Sequence, residues 1–378
     1  MRVLFALPPA PAVSGLSLVR IYVLRLAAAL VRRGMSAYVL MPHNTEPSYP
    51  EVAGLKVIYW PDNDNPSLRA ILREIRPHVV QVENRPELVP DIRQAFSGQL
   101  VLNLHHLWPL RRENISRDAL RVALCLVDHI VLGSYYEKSL FLGRFFGLRC
   151  RTHVVYPGVD VEEFRPYTGD AVLQRERTQW RQCLGLAKQD FVVLAVGQSG
   201  AQSGIDIVLQ AAKLANIRHL KVLLVNANLD DLSTTGYVNP SLAPALIAPP
   251  ARLFDTANAR DLPALYRVAD AFVSPSQVRT SLGMVNLAAQ ASGLPLVTGL
   301  RGGIVEMVDH RWTLLLRKHG EASAWANALL TILRSERLQT EMAFRGREFA
   351  KGFGWEQSAR GFLPLYSGFA PPRPFGSS

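Results

Sequence analysis

Short runs of valine, isoleucine and leucine alternate with longer amphipathic stretches through the first half of the chain. Residues 2–7 form an apolar run, closed by Pro8, Pro9, Pro11 and Gly15. Residues 16–33 then repeat apolar positions at helical spacing and stop at Gly34, a natural C-cap. Strand-like runs follow at 37–41 and 55–60, a helix at 66–76 ended by Pro77, and further strands at 79–82 and 100–104. A helix near 116–126, a strand at 130–132 and a helix opened by Ser134 complete this part. Continuous apolar runs between helices are the pattern of parallel strands covered on both faces, so the alternation predicts a doubly wound α/β domain.

A strand at 154–156 precedes a break in the pattern. Pro157-Gly158-Val159-Asp160, Phe164, Pro166 and Gly169 make a turn-rich connector, followed by a charged helix over 172–184. A second alternation places strands at 191–196, 221–225, 271–274, 296–298 and 312–316, and residues 322–369 read as almost entirely helical. The expected organisation is an N-terminal Rossmann-like domain over 1–165 and a second over 166–352. A helix within 353–370 is expected to cross back to the first domain, and 371–378 to form a flexible tail. Two such domains joined by a hinge predict a cleft at the strand carboxyl ends, where open α/β sheets bind ligands.

Composition narrows the class. With 378 residues, 48% hydrophobic and 19% charged, the chain is long enough for two cores and too apolar for disorder. The most apolar helix candidate carries Arg20 and Arg25, so no stretch reaches the roughly 18–20 apolar residues of a bilayer span. The apolar run before Pro8 is too short for a secretory signal. Cys125, Cys150 and Cys183 lack metal-ligand spacing and are odd in number, which argues against a disulfide framework and for a cytoplasmic setting. No metal or cofactor is expected.

Charge adds a preference for anions. The net charge is +11, and arginine outnumbers lysine 35 to 7. Arginine suits phosphate or carboxylate partners and anionic surfaces, whereas a coding bias with a solvated surface explains the same count. Zinc-finger spacing, RNA-binding aromatics and a concentrated basic block are all missing, which disfavours nucleic acid. Basic residues gather in the first half, at Arg111, Arg112, Arg117 and Arg121 and again at Arg144, Arg149 and Arg151, an arrangement suited to peripheral contact with an anionic membrane or surface assembly. Leu140, Phe141, Phe145 and Phe146 read as a helical core stripe more readily than as a membrane face.

Several short motifs recur in a fixed order. They are Tyr156-Pro157-Gly158-Val159-Asp160, Val196-Gly197, Ala269-Asp270, Pro275-Ser276, Leu282-Gly283, Gly293-Leu294-Pro295, Gly302-Gly303-Ile304-Val305-Glu306 and Phe353-Gly354-Trp355. Their order and spacing resemble the glycosyltransferase family 4 enzymes of the GT-B fold across nearly the whole chain. Glu83-Asn84-Arg85-Pro86 and Leu102-Asn103-Leu104-His105 look like the branch that includes spore-coat-associated glycosyltransferases of bacilli. The resemblance implies transfer of a sugar from a nucleotide-diphosphate sugar to an acceptor, with retention and without metal. Charge developing on the leaving diphosphate must be met by fixed donors. The family supplies an arginine, a lysine and a helix N-terminus for it, and two glutamates for the sugar and ribose.

At those positions this chain departs from the family. Aligning Gly197 to Gly204 puts Gln198 at the family's arginine and Ser203 at its lysine. Aligning Leu282-Gly283 puts Thr280 and Ala288 at its two glutamates. The donor-side candidates are therefore Gly15, Gln198, Ser199, Ser203, Arg279, Thr280, Gly283, Arg301, Gly302, Gly303 and Glu306. Arg279 and Arg301 are the guanidiniums that would replace the missing cations, unless both are solvent-facing loop residues. Glu306 either belongs to the site or caps a loop, and Gly15 either lets the donor approach or only makes a turn.

His105 follows a buried-strand pattern. It is the candidate catalytic residue, touching the donor sugar or phosphate by resemblance, with a structural imidazole as the alternative. Glu83, Asn84 and Arg85 suit polyol recognition on the acceptor side or a local turn network. His106 and Trp108 would shape the acceptor side. Two functions are consistent with these residues. One is a metal-independent retaining glycosyltransferase with an altered donor site. The other is a non-catalytic GT-B protein that binds a glycan or assembles with a cell-surface or spore-coat structure.

Overall fold

A computed structural model of the chain describes residues 1–7, 18–42, 54–60, 65–197, 203–226, 251–255, 261–275, 277 and 283–368. These residues divide into two compact units, one drawn from 1–158 together with 355–368, the other from 159–354.

The first unit is built on a wholly parallel sheet. Its strands are β1 (Arg2–Ala6), β2 (Ser36–Pro42), β3 (Leu55–Trp60), β4 (Val79–Glu83), β5 (Gln99–Leu104), β6 (His129–Leu132) and β7 (Thr152–Val154). They lie in the order β3-β2-β1-β4-β5-β6-β7. The helices are α1 (Leu18–Arg32), α2 (Asn65–Ile75), α3 (Val89–Ala95), α4 (Arg117–Leu126) and α5 (Tyr135–Arg144). Local chemistry sets their limits. Gly34 adopts φ 80 just beyond α1, and Ser134 caps α5 by accepting the Glu137 amide at 3.1 Å. The core joins Leu4, Val80, Val82, Leu100 and Leu102 of the sheet to Leu68, Ile92 and Leu124 of the helices. Phe141 is fully buried in it, while Phe146 stands 72% exposed.

The second unit repeats the plan. After α6 (Ala171–Cys183) come β8 (Phe191–Gly197), α7 (Ile205–Ala215), β9 (Leu220–Asn226), β10 (Ala251–Asp255), α8 (Leu262–Val268) and β11 (Ala271–Ser274). Then follow α9 (Met284–Ala291), β12 (Leu296–Gly299), a 3-10 turn over Gly302–Met307, β13 (Thr313–Leu316), α10 (Ala322–Leu333) and α11 (Glu336–Ala350). The strands run parallel in the order β10-β9-β8-β11-β12-β13. Trp325 of α10, with Leu329 and Ile332, packs against Val193, Val222, Val273 and Val297 of the sheet.

Two differences from the sequence expectation stand out. The strand expected at 154–156 lies two residues earlier, at Thr152–Val154, pairing Ile130 with Thr152 and Leu132 with Val154. β10 has no counterpart in the expected strands. The last helix, α12 (Trp355–Tyr366), belongs to the first unit. Trp355 meets Tyr22 of α1 at 5.5 Å between rings, and Ser358 Oγ donates to the Tyr156 carbonyl at 2.8 Å.

Each sheet reverses its strand order once, at β1–β4 in the first unit and at β8–β11 in the second. Loops leaving the carboxyl ends on either side of such a reversal diverge and leave a crevice, the place where open parallel sheets take ligands.

Candidate functional site

Residues of the first unit converge at the ends of β4 and β5, where Glu83 lies opposite Asn103. A strand sends alternate side chains to the same face, so Gln81 and Glu83 share one. Gln81 Nε2 donates to Glu83 Oε1 at 2.7 Å, and Asn103 Nδ2 donates to Oε2 at 2.9 Å. His105 Nε2 meets the same Oε2 at 2.6 Å. A carboxylate accepts all three bonds, so Nδ1 is the His105 ring nitrogen that Glu83 does not engage. The network continues outward, since the Tyr366 hydroxyl donates to Gln81 Oε1 at 2.5 Å. Tyr22 sets its ring edge-on to His105 at 4.5 Å. Burial first, and then the Glu83 charge, raise both phenols far above their ordinary value, so both remain donors.

This geometry alters the expected roles. Glu83 is fully buried and its oxygens are committed to protein donors, so it supports His105 from behind and presents nothing to an acceptor. Asn84 adopts φ 55, and its Oδ1 accepts the His105 amide at 2.8 Å. Its Nδ2 lies 3.4 Å from His106 Nε2. Arg85 is buried, pairs with Glu87 at 2.9 Å and sits 5.9 Å over the Trp60 ring. These contacts form a local network around Glu83-Asn84-Arg85. Burial, with His105 second, lowers the His106 pKa to about 4, which keeps that ring neutral. Trp108 is 55% exposed, with its ring 6.4 Å from that of His106.

In the second unit, the reversal point is flanked by two helices that each begin on a left-handed glycine. Gly204 precedes α7 with φ 71, and Gly283 precedes α9 with φ 65. Space is as restrictive as backbone angle. A Cβ on Gly204 would lie 2.2 Å from the Pro275 carbonyl oxygen, and one on Gly283 would lie 2.7 Å from Met307 Cε. The first turns of both helices offer amide donors and the positive end of a dipole, an arrangement that suits phosphate. Ser203 Oγ accepts the Ile205 amide at 3.3 Å. Ala288 is buried on α9, so no carboxylate stands there.

Gly302 adopts φ 59 at the start of the turn carrying Gly303 and Glu306. Arg301, just before it, donates from Nη1 to Gln277 Oε1 at 3.1 Å, and His319 Nδ1 meets the same oxygen at 3.1 Å. Neither Gln277 nor His319 is marked by any motif. A third unforeseen residue is Asn286 on α9, fully buried with no hydrogen-bond partner for either side-chain amide atom among the described residues. Gly15, Gln198, Ser199, Arg279 and Thr280 lie outside the described residues. Among the described residues there is no group of three or more His, Cys, Asp or Glu placed to hold a metal, and no helix long and apolar enough to cross a membrane.

Two parallel-sheet α/β units, with their order reversals at β1–β4 and β8–β11 and paired glycine-opened helices in the second, define the GT-B class. The chain belongs to the family 4 glycosyltransferases: residues 19–163 match Glycosyltransferase Family 4, and residues 176–349 match Glycosyl transferases group 1. Spore coat protein SA of Bacillus subtilis (strain 168) is 28% identical over 313 residues, covering 81% of this chain and 82% of that protein. The D-inositol 3-phosphate glycosyltransferase of Salinispora arenicola is 31% identical over 246 residues, 63% of this chain but only 54% of that protein. Among solved structures, sucrose-phosphate synthase of Thermosynechococcus elongatus superposes with a TM-score of 0.78 at 20% identity, covering 97% of this chain and 98% of that one. HepE of Anabaena in complex with UDP-glucose gives 0.77 at 19% identity, covering 98% and 100%.

Proposed function

We propose that the chain is a sugar transferase that takes a nucleotide-diphosphate sugar in its second unit. It passes the sugar to a hydroxyl-bearing acceptor with retention of anomeric configuration and without a metal. The observation that carries this reading is the pair of glycine-opened helices at the β8–β11 reversal, whose first turns are free of acidic side chains except Asp206. The diphosphate would lie against those amides, which stabilise the charge that grows as the anomeric C–O bond breaks. His105, with Nε2 held by Glu83, is the catalytic candidate of the first unit. HepE binds UDP and UDP-glucose, which makes a uridine nucleotide the first donor to try.

A second reading has its own support. Ser203 is a neutral hydroxyl that accepts the Ile205 amide and Ala288 a buried methyl, so two charged positions of the family pattern are neutral in the folded chain. A non-catalytic GT-B protein that binds a glycan or joins a cell-surface or spore-coat assembly would retain the frame and lose those charges.

Thermal melting with UDP, GDP and ADP and their glucose or mannose conjugates separates the two, because a ligand that binds only the folded state raises its stability. We expect at least one nucleotide sugar to raise the melting temperature and to be hydrolysed slowly to the α-sugar, read by proton NMR. Silence across the set, with glycan binding intact, would favour the second reading.

A further inference from the structure

Four partly buried arginines of the chain each reach a carboxylate. Arg93 pairs with Asp128 at 2.6 Å, Arg177 and Arg181 share Asp270, and Arg267 pairs with Glu176 at 2.8 Å. Arg301 reaches no carboxylate among the described residues, and unlike Arg347, which three carbonyl oxygens hold, it has little else. Its one hydrogen bond is to a neutral amide oxygen, that of Gln277, and it has no ion pair among the described residues. The oxygen is shared with His319, so two groups able to carry positive charge are drawn together with only a neutral dipole between them. Gln277 is itself fixed, since its Nε2 donates to the Pro275 carbonyl at 2.9 Å. His319 is fixed too. Its carbonyl accepts the Trp325 indole at 2.8 Å, and its Cβ is in close range of Gly299.

The three side chains come from segments that follow β11, β12 and β13 in turn, so they share the carboxyl edge of the sheet. Partial burial of the Arg301 guanidinium without a counter-charge is costly, and a bound anion relieves it, while drawing a proton onto the neighbouring His319. A guanidinium with free N–H groups is also the side chain best shaped to grip a phosphate oxygen pair. The electrostatics agree: burial first, and then Arg301, lower the His319 pKa below its ordinary value.

We infer that Arg301 and His319, aligned on Gln277, form a seat for a phosphoryl anion at the β11–β12–β13 edge of the second unit. It rests on the transferase reading only for the source of the anion. That source is either the donor's diphosphate, for which the seat replaces cations absent from the family positions, or a phosphate carried by the acceptor.

Calorimetric titration of the full chain with inorganic phosphate, UDP and UDP-glucose tests this, using Arg301→Gln, His319→Ala and, as a charge control on the same segment, Arg317→Ala. Circular dichroism melts of the unliganded variants establish that each is folded. We expect phosphate or UDP to bind the wild type, with affinity at least tenfold weaker in both site variants and unchanged in the control. Weakening of UDP and UDP-glucose identifies the donor's diphosphate as the anion, and weakening of inorganic phosphate alone identifies the acceptor side. If UDP-glucose binds and neither its affinity nor that of UDP or inorganic phosphate differs among the variants, the seat is wrong and the transferase reading stands. If phosphate binding depends on Arg301 and no nucleotide binds, the transferase reading is wrong and the seat stands. Absence of phosphate and UDP binding to the wild type overturns the seat.

Discussion

Glu83 shows how much one buried side chain can organise. Its two oxygens collect Gln81, Asn103 and His105, so removing them would leave three donors unpaired in a dry interior. Glu83→Leu should cost about 3–5 kcal/mol in urea unfolding, as expected for breaking a buried charged contact. Glu83→Gln, which keeps one acceptor oxygen, should cost less than half of that. Equal losses in the two variants would mean that shape, and not hydrogen bonding, holds the site. The sequence marks Glu83 as a strand-end candidate for the acceptor side or a local turn network because nothing near it in the chain announces a cover. The cover is Tyr366, bonded to Gln81, which lies 285 residues before it. Arg301 and His319 were equally hard to pair, since Gln277, 42 residues before His319, is what brings them together.

Among the elements, the glycines that open α7 and α9 differ in what blocks a side chain. At Gly204 the obstacle is the rigid Pro275 carbonyl, and at Gly283 it is the end of a flexible thioether. Both also sit at positive φ, which penalises an L-residue by about 1–2 kcal/mol. Gly204→Ala should therefore lower stability by at least about 2 kcal/mol, and by more than Gly283→Ala, in paired denaturation curves. A larger loss at Gly283 would contradict this assignment of strain. Strands with long apolar runs were legible from the pattern alone, and both Leu55–Trp60 and Ala271–Ser274 lie at the expected residues. β7 was misplaced because Thr152 and His153 interrupt its apolar signal, while its register is imposed by β6. β10 is similarly masked by Arg252 and Asp255, and pairing with β9 along its whole length makes it a strand.

For the molecule as a whole, acid is the informative stress. His106 and His153 both have pKa values lowered to about 4 from 6.5, burial being the larger cause in each. Between those values the unfolded chain binds protons that the folded chain refuses, so stability is full above about pH 6.5 and falls as pH drops towards 4. For His106 the loss amounts to roughly 2–3 kcal/mol by the lower end of that window. His106→Gln should flatten the fall in melting temperature between pH 7 and pH 4.5 relative to wild type, and a variant with the wild-type slope would assign the acid sensitivity elsewhere.

The first unit draws its closing helix from the far end of the chain: Trp355 against Tyr22, Ser358 on the Tyr156 carbonyl and Tyr366 on Gln81. During synthesis, then, the half that leaves the ribosome first is the half that finishes last. Its polar floor beneath His105 stays uncapped until residues 355–366 have been made. A premature stop just before Trp355 would leave the second sheet whole and spoil the first, so the damage from a lost tail would surface at the opposite end of the reading frame.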